Sequence, residues 1–367
     1  MRRIFIESPC FGFGPISTSI SLAERLNDRY EIWFITYGEA LLFLQKSTNY
    51  HFVEIDTRNE SEFDKIKTVA LPDDFFITNT NVEFSTYLIS SSYKVIVIDT
   101  LYWMCNSVPG LYSNYDYFII QKYFGKNVID LPLHNECRPI INYSLWTEIS
   151  CNKKNAALIS FGGMSEPGDN CYIITAAKKM IEYIDEILPS DIVEVYVIGG
   201  LLNIQEEIST TNRRIHTLGY VESSKYHDIA KQCKYLFLSP GLTSIYEMIY
   251  SRMPFCLLPG LNVSQVYQNY QFSKECGYKY CIQWSEVESL IRLFSSVPEL
   301  EGINHLREYV CNINIKNDIN FKKSLKEYID ATDLAICSFE QGIFSDIFKY
   351  PTVEDYVIKY LNKIENE

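Results

Sequence analysis

The chain has 367 residues, 47% of them hydrophobic, with few glycines and prolines and a formal net charge of −13. That length favours two domains with ample cores, and the negative field repels phosphate backbones, so no nucleic-acid partner is expected. The 11 cysteines show no C-x-x-C pair and no zinc-type cluster, which fits free thiols in a reducing compartment and no metal site.

The N-terminus MRRIFIESP carries Glu7 after only three apolar residues, too early for a secretory leader. No run of 18 apolar residues follows anywhere, so no membrane span is predicted and the expected location is cytoplasmic.

In chain order, RIFIE (3–7) reads as a short buried strand, followed by the loop SPCFGFGP. Ile16, Ile20, Ala23 and Leu26 then recur at helical spacing. YEIWFIT (30–36) is a second strand, GEALLFLQKS a helix and HFVEID (51–56) a third strand. Residues 57–92 are polar and mixed, with moderate helix signals. KVIVIDT (94–100) is almost uninterruptedly apolar, as in a strand buried on both faces of a parallel sheet. YDYFIIQKYF (115–124) is another strand.

A second cycle of alternating elements follows a polar linker candidate, TEISCNKKN (147–155). AALISFGG (156–163), VEVYVIGG (193–200), RIHTLGYV (214–221), YLFLS (235–239) and PFCLLPG (254–260) read as strands, with helices between them. Residues 265–340 are mostly helical by pattern, and the tail from about 330 reads as closing helices. The fold class is therefore α/β, with two doubly wound parallel sheets. The expected domains are 1–150, 151–330 and a closing segment 331–367.

The stretch LFLSPGLTSIYEMIY (236–250) carries the most chemistry. In a doubly wound sheet, ligands bind outside the carboxyl ends of strands. Ser239 stands at such an end and Gly241 permits a close turn. The next helix offers free N–H groups and a positive dipole end to a diphosphate. Thr243 and Ser244 add hydroxyls, and Glu247 can accept from a ribose diol. A plainer reading competes: Ser244 and Glu247 fit a capping box, S-x-x-E. LLPGLNVSQVYQNYQF (257–272) follows, with Asn262, Ser264, Gln265 and Gln268 just after the next strand end. Amides both donate and accept, which suits sugar hydroxyls.

The pairing of S-P-G-L-T-x-x-x-E with P-x-x-N-x-S-Q resembles the nucleotide-sugar signature of GT-B glycosyltransferases. It is similar to the lipid-II-forming N-acetylglucosaminyltransferase and the UDP-glycosyltransferases. FGFGPISTSISLAERL is similar to their first Gly loop, ALISFGG to the strand opening their second domain, and TLGYV to the base-gripping segment. VIDTLYW (97–103) and YFIIQKYFG (117–125) are similar to the cytosylglucuronate-synthase-like group. The resemblance implies two Rossmann-like domains facing a cleft, an N-terminal acceptor domain and a C-terminal domain for a nucleotide sugar, most often UDP-linked. It further implies that Glu247 binds ribose and that Gly241, Leu242 and Thr243 contact the diphosphate. Gln265 would meet the donor sugar, with Asn262 and Ser264 beside it, and Tyr220 and Val221 would flank the base. Gly162 and Gly163 would line the same site.

One departure from the family pattern concerns the general base. Many of these enzymes place His in the first Gly loop, where this chain has Pro15. Asp99, at the end of an apolar strand, is the candidate replacement, with Glu7 second; a carboxylate can act as base if its pKa suits. His134 is a further candidate. An acceptor that is already nucleophilic would need no strong base. Gly12, Gly14, Pro15 and Ser17, with Tyr102 and Trp103, are the expected acceptor-side residues. Gly12 and Gly14 do not make a dinucleotide fingerprint, because Ser17 stands where the third glycine belongs. No Walker A lysine pattern occurs, and Asp73-Asp74 reads as a turn and not as a metal motif.

The expected activity is metal-independent transfer of a sugar from a nucleoside diphosphate sugar to a small-molecule acceptor, with no cofactor and with inversion implied by the resemblance. The domains would close about residues 147–155 to exclude water. Two other readings stay open. One is a nucleotide-sugar hydrolase or 2-epimerase on the same scaffold. The other is a non-catalytic partner protein of similar fold.

Overall fold

In the computed structural model, residues 2–10, 12–104, 117–124, 134–146, 154–163, 171–200, 214–331 and 346–365 are described. The chain divides into two compact units. Unit 1 comprises Met1–Asn142 and Gly342–Glu367, and unit 2 comprises Tyr143–Gln341. The division thus falls after Asn142 instead of at residue 150, because Trp146 packs edge-on against Tyr226 and His227 of unit 2. Of the expected linker, residues 147–153 lie outside the described residues, and Lys154 and Asn155 already belong to a strand.

Unit 1 is built on seven strands: β1 (Arg3–Glu7), β2 (Glu31–Thr36), β3 (His51–Glu54), β4 (Phe75–Asn79), β5 (Lys94–Asp99), β6 (Tyr117–Gln121) and β7 (Asn135–Cys137). All pair in parallel, in the order β3-β2-β1-β4-β5-β6-β7. Helices α1 (Gly14–Leu26), α2 (Gly38–Ser47) and α3 (Val82–Ser90) join successive strands.

β4 lies within 57–92, a stretch whose sequence pattern showed only moderate helix signals. Its five residues FFITN are all buried, and Phe76 stacks on Phe5 of β1 at 5.1 Å. It sits beside β1 at the centre of the sheet. Asp74 is likewise more than a turn residue. Its carboxylate accepts from Arg3 Nε and Nη2 (3.1 and 2.5 Å) and from the Leu71 N–H (2.6 Å).

Unit 2 is built on β8 (Lys154–Ser160), β9 (Glu194–Ile198), β10 (Ile215–Gly219), β11 (Cys233–Leu238) and the two-residue β12 (Cys256–Leu257). They pair in parallel in the order β10-β9-β8-β11-β12. Its helices include α4 (Cys171–Ile187), α5 (Ser223–Gln232), α6 (Leu242–Ser251) and α7 (Val263–Cys276). Three more close the unit: α8 (Val287–Phe294), α9 (Glu299–Asn312) and α10 (Ile319–Asp330).

The tail ends in α11 (Val353–Glu365), which belongs to unit 1. There Tyr360 stacks on Tyr117 at 4.5 Å, and Glu354 pairs with Arg25 at 2.7 Å. Both sheets are therefore α/β and parallel, and each reverses its strand order once. The reversal lies between β1 and β4 in unit 1 and between β8 and β11 in unit 2. Such a point opens a crevice at the carboxyl ends of the strands. Among the described residues, no helix is long and apolar enough to cross a membrane.

Candidate functional site

At the unit 2 reversal, β11 runs out into Ser239, whose N–H donates to the carbonyl of Ser160 at the end of β8 (2.7 Å). The Ser239 hydroxyl is buried and has no hydrogen-bond partner among the described residues. Gly241 is the N-cap of α6, with no side chain capping the helix, and the first helical bond runs from Ile245 N–H to the Gly241 carbonyl (3.0 Å). The N–H groups of Leu242, Thr243 and Ser244 therefore lack intrahelical acceptors and carry the positive end of the helix dipole.

This geometry removes the capping-box explanation. Ser244 is the third residue of the helix and not its cap, and Glu247 lies a turn further along. Gly241 itself has φ −84° and ψ 133°, values open to any residue. A Cβ built there meets only Ser244 Oγ, at 3.9 Å, so the fold does not demand glycine. Gly260, after β12, is the opposite case: its Cβ would fall 2.4 Å from the backbone nitrogen of Val266. Gly260 is required by close packing of the strand end on α7. Gly241 leaves open space above a bare helix start, which is the space a bound anion uses.

Glu247 is part-buried, and burial pushes its carboxyl up to about 8. The Trp146 side chain donates toward it and partly offsets that rise. Tyr226 of α5 completes the cluster. Its hydroxyl is buried beside Ser160, Ser244 and Glu247, without reaching hydrogen-bond geometry to any of them. Burial and the nearby carboxyl raise the phenol well above its ordinary range. Trp146 and Tyr226 were not among the expected site residues. Neither sits in a motif, and only the fold brings them to Glu247.

The amide-rich turn after β12 is largely self-contained. Asn262 caps α7, its Oδ1 accepting from the Gln265 N–H (2.8 Å) and the Ser264 hydroxyl (2.9 Å). Gln265 Oε1 accepts from the Leu261 N–H (3.0 Å), which leaves its Nε2 as the group able to meet a ligand. Asn262 and Ser264 thus serve the helix start. Gln268 is buried, and its Oε1 has no partner among the described residues.

On the other side of the reversal, Gly162 takes φ +65°, and its carbonyl accepts from the Gly200 N–H (2.8 Å). Gly163 follows it at the end of β8. Tyr220 and Val221 leave β10 at the same edge of the sheet, part-buried.

In unit 1, Gly12 takes φ +62°, and α1 begins at Gly14 and Pro15 with no side-chain cap; Ser17 makes the first helical bond, to the Phe13 carbonyl. Glu7 stands at the unit 1 reversal and is fully buried. It accepts from Thr57 Oγ1 (2.8 Å), Asn81 Nδ2 (3.0 Å) and the Asn79 N–H (3.0 Å). Burial outweighs these donors and pushes its carboxyl up to about 7. Asp99 ends β5, and its Oδ1 accepts from the Leu101 N–H (2.8 Å). His134 lies 3.9 Å from Glu136, which is paired with Lys122.

Tyr102 and Trp103 depart from their expected role. Each is only 2% exposed, and Trp103 stacks on Tyr123 at 4.1 Å and 5°. They are packed in the core of unit 1. Among the described residues, no three His, Cys, Asp or Glu side chains are grouped to hold a metal ion.

No protein-family profile matches the chain, and no curated protein matches it in sequence. Solved structures do match in fold. The spinosyn rhamnosyltransferase SpnG superposes with a TM-score of 0.58 at 8% identity, covering 98% of this chain and 100% of that one. The same enzyme complexed with spinosyn aglycone gives 0.55 at 8% identity, with the same coverage. The fold is that of a GT-B glycosyltransferase.

Proposed function

We propose that this chain is a glycosyltransferase that moves a sugar from a nucleoside diphosphate sugar, UDP-linked, to a small-molecule acceptor. The observation that carries the reading is the uncapped start of α6 at the unit 2 reversal, with a glycine the fold does not require and a carboxyl one turn on. A bare helix N-terminus suits a diphosphate. As the glycosidic bond to phosphate breaks, the Leu242, Thr243 and Ser244 N–H groups meet the charge growing on the leaving oxygens, which is electrostatic stabilisation of the departing group. No metal ion takes part in this step.

In the same reading, Glu247 accepts from the ribose diol, Gln265 meets the donor sugar through Nε2, and Tyr220 and Val221 flank the base beside Gly162 and Gly163. Unit 1 binds the acceptor, with Asp99 as its base. Attack from the face opposite the diphosphate inverts the anomeric centre. Glu7, enclosed by three donors, is assigned to holding the unit 1 reversal together.

The test is a thermal-shift panel of UDP, GDP, TDP, CDP and ADP, with and without EDTA, on wild type and Glu247→Ala. A ligand that binds the folded state raises the midpoint by mass action. Selective stabilisation by one diphosphate, kept in EDTA and lost in the variant, is expected. No shift with any nucleotide overturns the reading. Release of free sugar from the matching donor without any acceptor would reassign the protein to hydrolysis.

A further inference from the structure

Tyr102 and Trp103, the rings expected to meet an acceptor, are buried, but the polar edge next to them is not. β4 ends at Asn79 and β5 at Asp99, beside the unit 1 reversal. Thr80 and Thr100 follow these strand ends side by side, each part-buried.

Thr80 has φ +56°, in the left-handed region. That region is unfavourable for a residue branched at Cβ, whereas glycine adopts it freely. Residues held against such a preference cluster at active sites and ligand clamps. What threonine adds over glycine is a hydroxyl. Thr80 Oγ1 accepts from the Thr100 N–H (3.2 Å), donates to Asn79 Oδ1 (3.1 Å) and lies 3.2 Å from Thr100 Oγ1. Both neighbours are fixed in turn. The Asn79 N–H donates to Glu7 at the reversal (3.0 Å), and Trp103 Nε1 donates to the Thr100 carbonyl (3.1 Å).

The direction of these bonds is set from the Asn79 end. A hydroxyl has one proton and two lone pairs. Thr80 gives its proton to Asn79 Oδ1, so the contact between the two hydroxyls is made by the Thr100 proton. Thr100 Oγ1 makes no other hydrogen bond among the described residues. Its proton is used and its lone pairs remain, so this end of the relay accepts and does not donate. A ligand carboxylate or ether brings only lone pairs to it, while an O–H brings the matching proton.

We propose that Thr100 Oγ1, oriented by Thr80, is a recognition point for the acceptor in unit 1, and that the acceptor presents a hydroxyl to it, as an alcohol or phenol and not a carboxylate. The proposal rests on the reading of unit 1 as the acceptor side of a glycosyltransferase. It narrows the acceptor to a hydroxyl compound held one residue from Asp99.

Wild type carrying 13C-methyl threonine reads the site directly. Thr80→Ser and Thr100→Ser keep the hydroxyls and remove one methyl each, which assigns the two resonances. The probes are matched sets on a naphthalene and on a cyclohexane ring, each as alcohol, methyl ether, carboxylate and amine. The alcohols should move both resonances saturably, with the ether and carboxylate of the same ring binding at least about fivefold more weakly. Thr100→Val keeps the shape, deletes the hydroxyl and should bring the alcohol down to the level of the ether. Thr80→Gly relaxes the backbone and frees the Thr100 proton, so the ether should then bind as well as the alcohol, while Thr80→Ser keeps the wild-type preference.

Ether, carboxylate or amine binding wild type as tightly as the alcohol overturns the proposal. So does a preference for alcohol that survives in Thr100→Val or in Thr80→Gly, or silence of both resonances with every probe. If the variants fail to fold, the ranking of the probes on wild type decides alone. The thermal-shift panel on unit 2 separates the two readings. A nucleotide shift without selectivity for alcohol sinks this proposal only, and selectivity for alcohol without a nucleotide shift sinks the transferase and leaves a hydroxyl-binding site.

Discussion

The carboxyl of Glu7 accepts the backbone N–H of Asn79 at 3.0 Å, tying the end of β1 to the end of β4 across the point where the unit 1 sheet reverses. With Thr57 and Asn81 on its other oxygen, Glu7 joins three chain segments far apart in sequence.

That buried carboxyl gives unit 1 a pH signature. Its folded-state value, about 7, lies above the ordinary 4.5. Between these values the folded state binds the proton and the unfolded state does not. The contribution to stability is therefore full below pH 4.5 and declines as pH rises toward 7. The change is about 3 kcal/mol. In Glu7→Gln the melting temperature should lose this decline relative to wild type. An identical pH profile in the two proteins would show that Glu7 does not titrate in this way.

Glu247 predicts a different pH effect, on binding. Burial holds its carboxyl up to about 8, and the groups acting on it are Trp146 and the Tyr226 phenol. Neither of these changes charge near that pH, because the Tyr226 phenol is itself raised. If the ionised form accepts from the ligand, nucleotide affinity should rise by about tenfold from pH 7 to pH 9. Calorimetry across that range on wild type and Glu247→Gln checks it, the slope vanishing in the variant.

The two glycines after β11 and β12 should respond oppositely to alanine. Gly260→Ala forces a Cβ to within 2.4 Å of the Val266 nitrogen, so strand end and helix must part. A loss of about 3 kcal/mol or more is expected. Gly241→Ala meets open space and should melt like wild type. It should nonetheless bind nucleoside diphosphate at least about tenfold more weakly, because the methyl group sits over the helix start. Normal nucleotide binding by Gly241→Ala would detach that helix from the donor site.

Trp103 should behave as core. Trp103→Ala removes a ring stacked on Tyr123 and 2% exposed. Denaturant titration should show a loss of about 3–5 kcal/mol. A stable Trp103→Ala protein with altered acceptor choice would restore Trp103 to the acceptor pocket.

Much of this architecture was legible in the sequence, and what was not has physical causes. Apolar runs such as VIVI in β5 and FIIQ in β6 announce strands buried on both faces. Phe75–Asn79 is just as buried, yet its apolar run FFI stops at Thr and Asn in an otherwise polar stretch, and Asp73-Asp74 before it reads as a turn. What makes it a strand is its place between β1 and β5. The Gly241 helix start was found because backbone donors after a strand end follow from order along the chain. Which of Ser244 and Gly241 caps the helix was not, since a cap is defined by where the first hydrogen bond closes. Trp146 and Tyr226 lie beyond any motif. Trp146 stands about a hundred residues from Glu247 in sequence and Tyr226 on a different helix, so their nearness exists only once α5 and α6 are in place.

The return of the tail to unit 1 has a genetic consequence. Everything assigned to the donor side lies in one unbroken stretch of coding sequence, from Tyr143 to Gln341, while unit 1 is written in two pieces around it. Unit 2 can therefore be exchanged as a cassette, with two junctions to respect. A stop codon before α11 would strip the partner from Arg25 and Tyr117 and injure the unit farther away in the gene.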